Sequence, residues 1–191
     1  LIKHSVEILQ AGGVSAYPTD SGYALGCTMG QKNGVDRIRQ IRQLDKDHNF
    51  TLMCRDLSEL ATYARVDNAQ YRMLRNNTPG AYTFILKATG EVPKRLMHPK
   101  RKTIGIRIPD NQICLDLLAE LGEPLMTTTL ILPNEEVPMS DPYEIRETLE
   151  HELQLVIDGG HCGFEATTVV NMSEDNPEVL RVGKGDPSVF E

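Results

Sequence analysis

Apolar positions recur along the chain with two periods, and the two alternate without a fixed order. Ile2, Val6 and Leu9 share one helical face and predict a helix over residues 2–10, ended by Gly12-Gly13. Val35, Ile38 and Ile41, spaced three apart, predict an amphipathic helix ending near Leu44. Asp56-Leu57-Ser58-Glu59 reads as a capping box opening a third helix. Asp67 caps a fourth, which stops at the breaker Asn76-Asn77-Thr78-Pro79-Gly80. Residues 112–121 form a fifth, closed by Gly122, and Asp141-Pro142-Tyr143-Glu144 supplies an N-cap, a first-turn proline and a first-turn acid for a sixth. Strands are predicted at 14–17, running into a turn at Pro18, and at 24–27, 50–54, 82–87, 103–108, 125–132, 153–157, 167–172 and 179–181. Helices and strands mix without strict βαβ alternation. The expectation is an α/β fold, a mixed sheet with helices packed on it, in one domain or one domain with a small appendage.

Composition adds exclusions. The chain is 40% hydrophobic and 25% charged, which rules out a collagen-like or wholly disordered chain. With 5% aromatics and no Trp, the core is mostly aliphatic. No stretch approaches the length of a membrane span, and the first ten residues lack a signal-peptide profile. The chain opens on Leu1 rather than Met, so a lost targeting segment stays open. Cys27, Cys54, Cys114 and Cys162 form no CxxC pattern, the reading for which is reduced thiols in a cytoplasmic protein. His4, His48, His98, His151 and His161 are isolated, so no metal site is expected. There is no P-loop, GxGxxG or GxSxG.

Charge is uneven. The formal net charge is −7, and residues 134–158 alone hold eight acids and one base. By contrast, residues 94–107 hold six bases (Lys94, Arg95, Lys100, Arg101, Lys102, Arg107) and no acid, and residues 37–46 hold four bases and one acid. Both basic stretches read either as solvated surface or as contacts for the phosphates of a nucleotide or an RNA. Polar residues also gather at strand ends, in 18–27, 78–83 and 106–109. Arg107, inside an apolar strand, needs an anion or a hydrogen-bonded partner, and spacing alone favours a structural salt bridge.

These segments carry a resemblance. PTDSGYALGC, TPGAYTFIL, IGIRIP, LGEPLMTTTL, Thr167-Thr168-Val169-Val170-Asn171 and Val179-Leu180-Arg181-Val182-Gly183, in this order, resemble the YrdC-like family of threonylcarbamoyl-AMP synthases. IRQL, HNFTLMCRDLSEL and KRKTIG are similar to its YciO branch. The resemblance implies a single α/β domain over residues 1–191, a twisted mixed sheet with flanking helices and a deep basic concave face. It implies an enzyme that joins L-threonine, bicarbonate and ATP, carried with Mg²⁺, into threonylcarbamoyl-AMP and pyrophosphate for tRNA threonylcarbamoyladenosine modification. It also implies binding of double-stranded RNA or tRNA. Carried over by motif, Thr19, Ser21, Tyr23 and Thr83 line the threonine and nucleotide pocket, and Arg107, Thr167 and Arg181 meet phosphate or carboxylate. Arg42 and Thr129 fall on the catalytic K-x-R and S-x-N positions, while the acid-free basic run makes Lys94, Arg95, Lys100, Arg101 and Lys102 the candidate RNA-binding residues.

The chain also departs from the synthase pattern. Arg42-Gln43-Leu44 replaces K-x-R, and Thr129-Leu130-Ile131 replaces S-x-N, so Leu44 and Ile131 stand where the resemblance places a guanidinium and an amide. Three readings follow: an ATP-binding protein with weak synthase-like chemistry, a non-catalytic RNA-binding module, or an enzyme using another substrate in the same pocket.

Overall fold

The computed structural model describes residues 1–45, 48, 50–163 and 165–191. Its elements run α1 (Ile2–Gln10), β1 (Ser15–Thr19), β2 (Gly22–Thr28), α2 (Lys32–Arg42), β3 (Thr51–Met53), α3 (Leu57–Tyr63), α4 (Asn68–Asn77), β4 (Tyr82–Lys87), β5 (Thr103–Arg107), α5 (Gln112–Leu121), β6 (Leu125–Thr129), α6 (Pro142–Leu149), β7 (Leu155–Val156), β8 (Thr168–Asn171) and β9 (Glu178–Arg181). The strands form one mixed sheet in the order β7-β1-β2-β6-β3-β5-β4-β8-β9. The pairs β1/β7, β3/β5 and β4/β8 are parallel, and the other neighbours are antiparallel. Among the described residues, no helix is long and apolar enough to cross a membrane.

Strand alternation decides which face is covered. Leu25, Leu52, Phe84 and Ile106 belong to a large apolar cluster with Val35, Ile38 and Ile41 of α2, Leu60, Leu74 and Ile145. Tyr17, Met53 and Leu125 meet Val6 and Leu9 of α1 and Leu117, Leu118 and Leu121 of α5 in a second, smaller one. Thr51, Thr83, Gly105 and Thr127 belong to neither cluster. These residues line an open cleft.

The sheet is also strongly curled. β1 and β9 lie seven strand steps apart, about 34 Å on a flat sheet. Yet the Lys184 ammonium, three residues past β9, donates to the Asp20 carbonyl just past β1 at 2.5 Å. The two flanks therefore meet over the concave face.

Local details differ from the sequence reading in three places. Pro18 does not end β1 but pairs with Tyr23 inside it. β7 pairs only with Ser15 and Ala16, so β1 is an edge strand at Pro18, where a missing N–H is tolerated. The β6 strand stops at Thr129 because the Ile131 N–H turns back to the Thr129 carbonyl at 2.9 Å. The box at Asp56 is half formed: Asp56 caps the Glu59 N–H at 2.8 Å, but the Glu59 carboxylate goes to the Arg55 N–H. The reciprocal box sits at Asp67 and Gln70. Gly122 ends α5 in the left-handed region at φ 75, as its position after the last apolar residue predicts. All four cysteines are free, and burial pushes the Cys27 and Cys114 thiols up to about 12.

Candidate functional site

The concave face holds a cleft of about 290 Å³. Thr19, Ser21, Tyr23, Arg42, Thr83, Arg107, Thr129, Thr167 and Arg181, drawn from seven elements and two connecting segments, all line it. Its floor opens at Gly105. A methyl there would lie 2.8 Å from the Thr51 hydroxyl and 3.2 Å from the Thr83 methyl, so any side chain would fill the floor.

The tip of the β1–β2 hairpin folds over one end. The Thr19 hydroxyl donates to the Gly22 carbonyl at 2.6 Å and accepts from the Ser21 N–H at 3.0 Å, which fixes the turn. Gly22 adopts φ 118 there, a conformation open to glycine. The tip delivers Asp20 and Ser21 to Arg107. One terminal nitrogen of Arg107 donates to the Ser21 hydroxyl at 2.8 Å, and the other forms an ion pair with the Asp20 carboxylate. The second Asp20 oxygen accepts from the Asp110 N–H at 2.9 Å. The Arg107 Nε is buried without a hydrogen-bond partner among the described residues. Arg107 is thus the ion pair that its apolar strand context predicts, and it still borders the cleft. Its charge is compensated by Asp20.

The other two guanidiniums differ. Arg42, at the end of α2, donates to the Ile131 carbonyl at 3.0 Å and to the Thr128 hydroxyl at 2.6 Å. Arg181, at the end of β9, donates through Nε and Nη2 to the Thr167 carbonyl at 3.0 and 2.8 Å, and through Nη2 to the Thr167 hydroxyl. Their partners are neutral, and no ion pair is formed by either among the described residues. Burial lowers the pKa of both, a sign that their charge is partly desolvated. A desolvated, uncompensated guanidinium is a strong receptor for an anion.

Hydroxyls fill the space between. Thr83 and Thr167 share a hydrogen bond at 2.7 Å. The Tyr23 hydroxyl donates to the Gly160 carbonyl at 2.7 Å and accepts from the Gly159 N–H at 3.1 Å, and burial raises its pKa. Thr51, Thr127 and Thr128 also line the cleft, as does the Ile131 side chain. Leu44 does not: it follows the left-handed Gln43 that ends α2, and packs against the core. Of the two apolar departures from the synthase pattern, only Ile131 faces the cleft.

Two residues escape a sequence reading. Asp20 stands inside PTDSGYALGC, and the signal for it was the demand of Arg107 for an anion. His48 looks like one more histidine in a polar run, yet it lines the cleft. Burial first, then the nearby Arg42, lowers its pKa. Among the described residues, no carboxylate lines the cleft and no group of acids, histidines and cysteines could hold a metal ion.

The basic stretch lies elsewhere. Lys94 and Arg95 sit in a 3-10 turn (Lys94–Leu96), with Arg95 donating to the Met29 carbonyl at 2.7 Å. Lys100, Arg101 and Lys102 occupy an exposed loop organised by His98, whose Nδ1 accepts from the Lys100 and Arg101 N–H groups at 3.2 and 3.0 Å. None of these five lines the cleft, and neither does any residue of the acidic stretch 134–158. Lys46, in the other basic stretch, lies outside the described residues.

The profile of the Sua5, YciO and YrdC proteins, described as telomere recombination, matches residues 7–183. The crystal structure of Escherichia coli YciO superposes with a TM-score of 0.96 at 56% identity, covering 100% of this chain and 92% of that one. A threonylcarbamoyl-AMP synthase of Nitrosococcus oceani is 28% identical over 159 residues, 83% of this chain and 85% of that protein. The structure of P. abyssi Sua5 complexed with L-threonine shares the fold, with a TM-score of 0.86 at 23% identity, over 95% of this chain and 54% of that one.

Proposed function

The chain belongs to the Sua5/YciO/YrdC family, and on that premise we propose that its cleft binds ATP together with L-threonine and supports slow threonylcarbamoyl-AMP synthase-like chemistry linked to tRNA modification. The observation that carries this reading is the pairing of two guanidiniums without an ion-pair partner among the described residues, Arg42 and Arg181, with a hydroxyl-rich floor in one cleft. Formation of an acyl-adenylate needs cationic donors on the transferring phosphate and hydrogen-bonding groups that orient the carboxyl partner. Mg²⁺ would come with ATP as its complex, since no carboxylate lines the cleft among the described residues. Ile131 is the reason for slowness, since it offers an alkyl group where the synthase pattern has an amide.

The test is pyrophosphate release from Mg·ATP with and without L-threonine and bicarbonate. The expected result is slow release that requires both. Release that ignores threonine, or that another carboxylate or amine supports better, would replace this substrate assignment with a different one.

A second reading, binding of duplex RNA or tRNA, is favoured by the exposed loop of Lys100, Arg101 and Lys102, which forms no ion pair among the described residues. Replacing all three by Gln should weaken duplex binding and flatten its log–log salt dependence by about 2 to 3, roughly 0.9 per lost phosphate contact. An unchanged slope assigns the loop to ordinary solvated surface.

A further inference from the structure

His48 is, among the described residues lining the cleft, the one side chain whose ordinary titration falls near neutral pH; its companions are hydroxyls, aliphatic groups and guanidiniums. We propose that His48 is a proton-coupled anion contact, taking up a proton when a phosphate-bearing ligand settles in the cleft beside Arg42. The proposal rests on the reading of the cleft as an anion-binding site and extends it to how that site responds to pH.

The placement of the ring comes first. The His48 N–H approaches the carbonyl of Asp45, three residues past the end of α2, at 3.4 Å. Its imidazole stands edge-to-face on Phe50, centroids 5.6 Å apart and planes at 78°. Phe50 is itself buried, with the Arg39 guanidinium 4.6 Å from its ring centre. A rigid aromatic therefore holds the imidazole at the cleft wall that Arg42 also lines.

The charges around the ring come next. Burial is the largest influence and opposes protonation. Arg42 and Arg39 of α2 oppose it as well, while Asp45, in the turn after α2, favours it. The net effect among the described residues lowers the ring's pKa and favours its neutral form in the free cleft. A phosphate against Arg42 reverses that balance, because it offsets the guanidinium's field and brings negative charge of its own. The protonated ring then donates from both nitrogens, one of them toward the anion. Only a proton moves, from solvent to the free ring nitrogen. By reciprocity, the coupling that favours the proton when the anion is bound also tightens the anion when the pH falls.

The test follows the ring resonances of the protein, labelled at histidine, by NMR across neutral pH, with His48→Gln assigning the signal. Inorganic pyrophosphate is the first probe and ATP the second. The titration midpoint of His48 should rise by about one pH unit or more with saturating pyrophosphate, while those of His4, His98, His151 and His161 stay in place. In parallel, the ratio of wild-type to His48→Gln affinity for pyrophosphate should grow about tenfold from mildly alkaline to mildly acid buffer, which cancels the probe's own protonation. An unmoved midpoint, a pH-independent ratio, or no binding of pyrophosphate overturns the proposal. Coupled binding of pyrophosphate without binding of ATP leaves it standing and removes the nucleotide reading instead.

Discussion

Asp20→Ala is expected to destabilise the protein by about 3–5 kcal/mol in denaturant unfolding, the cost of leaving a buried guanidinium unpaired. Arg107 is 5% exposed and has one carboxylate partner, Asp20, whose other oxygen accepts from the Asp110 N–H. Removing that carboxylate leaves Arg107 with the Ser21 hydroxyl, and its Nε is already without a partner. The loss should be local in cause and wide in effect. Asp20 ties the β1–β2 hairpin tip to the end of β5, two elements that two other strands separate from each other in the sheet. Arg107→Met in the same background should recover part of the loss, since it removes the orphaned charge while keeping much of the volume. A cost for Asp20→Ala below about 1 kcal/mol would place the pair with weak surface ion pairs instead.

The second large effect concerns rate. Thr129→Ser with Ile131→Asn is expected to raise threonine-dependent pyrophosphate release by about a hundredfold, the scale of one restored transition-state donor. Ile131 lines the cleft, and its carbonyl is already held by the Arg42 Nε at 3.0 Å. An amide at 131 would add a hydrogen-bonding group to the cleft that Arg42 also lines. Leu44→Arg is left out of this variant because Leu44 packs against the core, where a guanidinium would face desolvation without a partner. A folded, ATP-binding double variant that is no faster than the wild type would show that the missing amide does not limit the reaction.

How much of this was legible depends on range. Helices with a clear 3.6-residue stripe, such as α2 through Val35, Ile38 and Ile41, and ends marked by a specific residue, such as Gly122, follow from local sequence. Pro18 within β1 does not, because only the shortness of β7 makes that position an edge. The cleft was half legible. Arg107 announced its need for an anion by its apolar setting, but Asp20 lies 87 positions away and is brought there by the curl of the sheet. Curl of that kind leaves no periodic trace; the Lys184–Asp20 contact that reports it joins residues 164 positions apart. His48 was illegible for a different reason. A histidine in a polar turn reads the same on a surface as on a cleft wall, and only its packing on Phe50 and its nearness to Arg42 separate the two.

The central claim, that the cleft is a nucleotide site organised by its uncompensated guanidiniums, is tested most directly by calorimetric titration of Mg·ATP into the wild type and Arg42→Ala. Arg42 donates to the Ile131 carbonyl and the Thr128 hydroxyl while its charge stays unpaired among the described residues. The predicted result is one ATP per chain in the wild type, with affinity falling about tenfold to a hundredfold in a folded Arg42→Ala, the scale of one lost charge-assisted contact. ATP binding of undiminished affinity in Arg42→Ala, or no ATP binding by the wild type, would contradict it.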